Sequence, residues 1–248
     1  MNETDICWCD YTWNPIVGCD GPADEEGTCT LCSYCYGYAL RGRVGESLDC
    51  DLCRSYTPHF HPERLTGRRA PAAVRKPQIV FADSMGDWWG PRVDREWRER
   101  AFEAMRLAPQ HHYVLLTKRP DLIDLDELFL YTPNGLWLGV SMEGTDAASR
   151  DRLWHLLYIA DELPRLVRPI VSIEPLIHGW DWHLLAMPKL RWVIVGRQTG
   201  PGADPKLPTG QDLDEVAKFA RRSGAALWEK TNLGLGAPVQ ERPGEMGG

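Results

Sequence analysis

Six short apolar runs follow residue 75 and limit the choice of fold: Gln78–Ala82, Tyr113–Leu116, Leu136–Val140, Ile170–Ile173, Trp192–Val195 and Ala225–Trp228. They are continuously apolar rather than alternating, which is the pattern of parallel strands covered on both faces. Stretches of helical period separate them. Val93, Trp97, Ala101 and Met105 share one face, and Leu153, Leu156, Leu157 and Ala160 another. Leu213, Val216, Ala217 and Ala220 make a third stripe, with Gly224 where a helix-ending glycine belongs. Such alternation predicts βαβ units with right-handed crossovers. One more strand near Trp13–Val17 leaves the count short of a closed eight-stranded barrel. The expected architecture is an incomplete parallel α/β barrel forming a single domain over all 248 residues. Residues 1–75 are its cysteine-rich N-terminal region.

Each run ends in polar residues: Asp83-Ser84-Met85-Gly86-Asp87, Thr117-Lys118-Arg119, Ser141-Met142-Glu143, Ser172-Ile173-Glu174, Gly196-Arg197-Gln198-Thr199 and Glu229-Lys230. A single cluster of this kind is explained by helix capping. A polar group after every strand points to a site at the carboxyl ends, where barrels and open α/β sheets build theirs.

All eight cysteines lie in the first 53 residues: Cys7, Cys9, Cys19, Cys29, Cys32, Cys35, Cys50 and Cys53. A disulfide scaffold spreads its bridges or belongs to a short secreted chain. Met-Asn-Glu-Thr-Asp has no basic n-region, so the expectation is no signal peptide and a cytoplasmic protein. Clustered cysteines in that setting read as metal ligands. Cys32 and Cys35 are two residues apart, and Cys19 follows the first strand. Three thiolates are one short of a closed four-ligand site and leave a position open for chemistry.

The net charge of −7 argues against a protein that grips nucleic acid through its overall field. The charge is uneven, however. Arg64, Arg68, Arg69, Arg75 and Lys76 form a run without acid, read either as a solvated loop or as a phosphate-facing patch. The apolar runs are too short to cross a bilayer, so no membrane partner is expected.

Thr12-Trp13-Asn14-Pro15-Ile16-Val17-Gly18-Cys19 followed by Cys32-Ser33-Tyr34-Cys35-Tyr36 resembles the phage-associated three-cysteine-motif family. That family is similar to radical S-adenosylmethionine (SAM) enzymes, with spore photoproduct lyase among the relatives. The resemblance continues through Phe60-His61-Pro62-Glu63-Arg64-Leu65, Phe81–Asp87, Leu116–Pro120, Leu138–Glu143, Val171–Leu176, Trp192–Gly196 and Gly200-Pro201-Gly202. Two features depart from it. The gap Asp20–Leu31 is longer and acidic, and it contains Cys29, which competes with Cys19 as the first ligand. Arg197-Gln198-Thr199 replaces a segment that is usually glycine followed by an acid.

The resemblance implies a (β/α)6-type barrel of the radical SAM kind, with a [4Fe–4S] cluster on Cys19, Cys32 and Cys35 and SAM on its fourth iron. Tyr34 or Tyr36 would pack near the adenine. Ser84, Asp87, Ser141, Glu143, Ser172 and Glu174 would bind the ribose and methionine parts. Lys118 and Arg119 would pair with a carboxylate or phosphate. For Glu174 the competing assignment is a salt bridge to Arg119 or Arg197. The implied partners are a flavodoxin- or ferredoxin-type electron donor, a nucleic-acid base or nucleotide as substrate, and a protein encoded beside it.

Cys7-Trp8-Cys9 and Cys50-Asp51-Leu52-Cys53 form two further close pairs. Together they suit a structural zinc site or a second cluster; the alternative is ordinary buried thiols. His59 and His61 are additional candidate ligands. The rival to a radical SAM enzyme is a zinc-binding nucleic-acid recognition module using these cysteines and the Arg64–Lys76 patch. A third reading is a zinc hydrolase on Cys19, Cys32 and Cys35.

Overall fold

The computed structural model describes residues 1–20, 35–177, 189–199, 203–204 and 206–246. Cys29, Cys32 and Tyr34 lie outside the described residues, as does the Gly200-Pro201-Gly202 motif. The chain forms two compact units, Met1–Leu136 and Trp137–Gly248, where the sequence leads one to expect a single domain.

In the first unit the strands run in the order β1 (Asn2–Glu3), β2 (Tyr11–Trp13), β5 (Ile79–Ala82) and β6 (His112–Thr117). β1 is an antiparallel edge. β2, β5 and β6 are parallel, with Trp13 opposite Ala82 and Phe81 opposite Val114. The expected Trp13–Val17 strand is split at Asn14-Pro15, because proline has no amide to continue the ladder. Its second half, β3 (Ile16–Val17), pairs antiparallel with β4 (His59–Phe60) as a separate ribbon. Between these two strands lie α1 (Tyr36–Leu48) and α2 (Asp51–Ser55). α3 (Arg95–Arg106) and α4 (Leu125–Tyr131) are joined by the buried pair Arg98–Glu127 at 2.6 Å. Trp8, Trp13 and Trp88 are fully buried and centre the core, with Trp8 4.9 Å from the ring of Phe81 and Trp88 5.2 Å from that of Phe102.

In the second unit the strand order is β7 (Leu136–Met142), β8 (Val167–Ile173), β9 (Trp192–Val195) and β10 (Ala226–Glu229). β8, β9 and β10 are parallel, with Ile173 opposite Val195 and Val195 opposite Glu229. α5 (Ala147–Glu162) turns Leu153, Leu156 and Ala160 inward, and α6 (Gly210–Ser223) turns Val216 and Ala220 inward. α6 opens on a capping box between Thr209 and Asp212 and ends at Gly224, which is left-handed with φ 68°. A branched or longer side chain at Gly224 would be strained there.

The α/β class with mostly parallel strands is therefore as expected. Among the described residues, no helix is long and apolar enough to cross a membrane.

Candidate functional site

Gly18 sets the position of Cys19. It has φ +94°, and a Cβ there would fall 2.4 Å from the Thr57 carbonyl carbon and oxygen. Only glycine allows this approach. The Gly18 amide donates to Met85 O at 2.8 Å, and Gly18 bridges Gly86 in parallel. Cys19 therefore starts beside the loop that leaves the carboxyl end of β5. Its own amide donates to Tyr56 O at 3.3 Å.

Cys35 reaches the same place from α1, where it is the N-terminal cap. Cys19 and Cys35 both pack on a cluster made of Val17, Cys53, Tyr56 and Met85. The Tyr56 hydroxyl stands 4.0 Å from Cys35 Sγ. Burial, reinforced by the neighbouring Cys35, Cys19 and Asp83 charges, pushes this phenol far above its ordinary value. It keeps its proton and can donate to a thiolate.

The loop after β5 separates residues that the sequence left equivalent. Asp87 accepts from Thr117 Oγ1 at 2.7 Å, Lys118 N at 3.0 Å and Trp89 N at 3.2 Å. Its carboxylate is committed to tying β5 to β6. The Ser84 hydroxyl and the Met85 amide are held by the Asn14 side chain at 3.0–3.2 Å. Asp83 differs from both. It is buried, has φ +98°, and accepts from Trp88 N through Oδ2. Its Oδ1 has no hydrogen-bond partner among the described residues. Burial, then the Asp87 charge, raises its carboxyl well above the ordinary range. A strained backbone carrying an unsatisfied buried acid marks functional positions. The sequence offered a hint, since Asp83 is the first residue after β5, but not the strain.

A cavity of about 520 Å³ opens in this unit, lined by Trp13, Tyr36, Arg43, Arg64, Arg69 and Ser84 among others. Burial, with the Arg64 and Arg69 charges, lowers the Met1 ammonium to about 6. The cavity is an electropositive, partly aromatic pocket, and Val17 and Met85 in its lining also belong to the cluster on which Cys19 and Cys35 pack.

In the second unit the strand-end acids are paired. Glu143 meets Arg152 at 2.7 Å, and the same guanidinium holds the Ser141 carbonyl at 2.5 Å. The Ser172 hydroxyl donates to Glu174 at 3.3 Å, so the two share a face as the strand period requires. Glu174 pairs with Lys230 at 2.5 Å, whereas the competing assignment to a SAM ligand names Arg119 or Arg197 as its salt-bridge partner. β9 lies between their strands, and Gly196 at its end leaves the room. A Cβ on Gly196 would come 2.7 Å from Glu174 Oε1 and 2.9 Å from Lys230 Cδ.

The second cysteine set also differs from expectation. Cys50 and Cys53 meet His59 and His61, with one ligand atom of each inside a 4.8 Å group. Cys7 and Cys9 are not in that group. They lie in the turn between β1 and β2, where Cys9 Sγ approaches Ile6 O at 3.8 Å. Burial pushes the Cys53 thiol up to about 12 and, with Arg64, the His61 ring down to about 4.

These features define an α/β protein with a cysteine pair at a strand-end rim and a separate Cys₂His₂ group. Over residues 3–227 the chain matches the family model described as a protein of unknown function (DUF5131), and it belongs to that family. No curated protein and no solved structure matches it.

Proposed function

We propose that the chain is an iron–sulfur enzyme of the radical SAM kind on an incomplete parallel barrel, with Cys19, Cys32 and Cys35 as cluster ligands. The observation that carries this reading is the convergence of Cys19 and Cys35 on Tyr56, Cys35 through its sulfur at the hydroxyl and Cys19 through its amide at the carbonyl, beside the carboxyl end of β5. When bound, the cluster and SAM supply one-electron chemistry, reductive cleavage of the sulfonium to a 5′-deoxyadenosyl radical that takes a hydrogen atom from the substrate.

The chain's own residues prepare that chemistry. The start of α1 holds Cys35, and the Tyr56 hydroxyl stands 4.0 Å from its sulfur. Asn14 fixes Ser84 at the cavity wall. The unpartnered oxygen of Asp83 accepts from an ammonium or a ribose hydroxyl. The arginine-lined cavity supports a nucleotide or nucleic-acid base as substrate, with guanidiniums for phosphate and Tyr36 for the base. A ferredoxin- or flavodoxin-type donor would supply the electron, and the setting is cytoplasmic.

The test is anaerobic reconstitution. About four irons and four sulfides per chain are expected at this site, with 5′-deoxyadenosine formed on adding SAM and a strong reductant. Cys35→Ala should abolish its formation. Zinc as the sole metal, with no acid-labile sulfide, would overturn the reading. Tight nucleic-acid binding in that case would favour a zinc-dependent recognition module.

A further inference from the structure

Four side chains between residues 50 and 61, none of them among the proposed cluster ligands, converge on one point. Cys53 Sγ lies 3.4 Å from His59 Nε2 and 3.3 Å from His61 Nε2. Cys50 Sγ is 3.5 Å from His59 Nε2, and the two Nε2 atoms are 2.9 Å apart. Zinc bonds of about 2.3 Å to sulfur and about 2.0–2.1 Å to nitrogen, at tetrahedral angles, make edges of roughly 3.3–3.8 Å. The three sulfur–nitrogen separations have that size. A cation between the rings would open the nitrogen–nitrogen separation toward it.

The surrounding hydrogen bonds determine what the imidazoles present. His59 Nδ1 faces the Thr57 carbonyl at 2.7 Å, and His61 Nδ1 faces the Glu63 carboxylate at 2.8 Å. Both partners only accept, so both Nδ1 atoms carry the proton. Two Nε2 lone pairs then point at each other, an arrangement that repels unless a cation stands between them. A carboxylate or carbonyl behind the ring is the usual outer support of a metal-bound histidine. The Cys53 amide donates to Cys50 Sγ at 3.4 Å.

We propose that Cys50, Cys53, His59 and His61 hold a structural zinc ion. Two thiolates and two neutral imidazoles balance its charge, as a site with Cys53, His59 and His61 all buried requires. Four protein ligands close the coordination shell and leave no position for substrate. The ion ties α2 to β4. Tyr56 and Thr57, which contact Cys19 and Gly18, lie between its ligands in the chain. It is therefore a fastener for the cysteine rim and distinct from the cluster.

The test uses the full chain with Cys19, Cys32 and Cys35 all replaced by alanine, so that the outcome does not depend on the cluster. About one zinc per chain should remain on elemental analysis. His61→Ala in that background should lose it and lower the melting temperature. Glu63→Gln keeps every ligand and guards against a simple folding failure. It should retain zinc with affinity about 10–100-fold weaker in competition with a chromophoric chelator. Cobalt(II) in place of zinc should give the intense visible bands of a tetrahedral thiolate site. The assignment is overturned if the triple variant holds no zinc, if it holds iron with acid-labile sulfide, or if zinc affinity is unchanged in both His61→Ala and Glu63→Gln.

Discussion

The Tyr56 hydroxyl stands 4.0 Å from the sulfur of Cys35, and the Tyr56 carbonyl accepts the amide of Cys19 at 3.3 Å. One residue thus touches both described cysteines of the proposed cluster site. Tyr56→Phe keeps the ring, which packs edge-on against Tyr38 with centroids 5.8 Å apart. It should cost at most about 0.5–1.5 kcal/mol of stability. The bound cluster should become harder to reduce, because hydrogen bonds to cluster sulfurs raise its potential. Redox titration of parent and variant checks this; equal potentials would remove Tyr56 from the sulfur environment.

Gly18→Ala combines a left-handed backbone with a Cβ only 2.4 Å from the Thr57 carbonyl. The expected loss is about 1–3 kcal/mol for the backbone alone, and iron loading should fall with it. A melt alongside iron and sulfide analysis reads both. A variant with normal stability and full loading would show that the ribbon adjusts.

Asp83→Asn separates stability from activity. The Asp83 carboxyl is raised in the folded state, so between its unfolded pKa and its higher folded one the native chain binds the extra proton. Stability must fall as pH rises through that window. Replacement by asparagine should remove that slope and stabilise the protein near neutral pH, while 5′-deoxyadenosine formation drops. Melts from about pH 4 to about pH 8, paired with a SAM-cleavage assay, test both halves. A destabilised variant with full activity would make Asp83 a structural residue.

Glu174→Gln should weaken the pair with Lys230. Both side chains are about one-fifth exposed (21% and 22%), so the pair is partly screened. A double-mutant cycle of Glu174→Gln with Lys230→Met should give a coupling of about 1–2 kcal/mol. A coupling near zero would free Glu174 for a ligand.

The strands of both units were legible because their apolar runs are continuous, and α3, α5 and α6 because their stripes hold period. α1 was not, because only Gly37 and Gly45 are buried on it. A Cβ at those positions would meet the Tyr56 hydroxyl and Arg54 Cγ at 2.3 Å each, so the helix packs closest through missing side chains, and its stripe of Leu40, Val44 and Leu48 is only partly buried. β3 and β4 are two residues each, below any window in which alternation can be read. His59 and His61 did carry a signal, since residues two apart on a strand face the same way. The pairing of Cys50 and Cys53 with those histidines instead of with Cys7 and Cys9 depends on the ribbon that brings β4 back beside β3. The commitment of Asp87 to Thr117 and of Glu174 to Lys230 is tertiary, and nothing in the chain's local pattern marks it.

The β3–β4 ribbon also bears on how this family can diversify. Ile16 opposite Phe60 and Val17 opposite His59 fix both ends of a long excursion of the chain. Extra length between such anchors adds only about 0.6 kcal/mol per doubling in closure entropy. The acidic stretch Asp20–Leu31 can therefore lengthen, shorten or accept a tag with little effect on the registers of β2, β5 and β6.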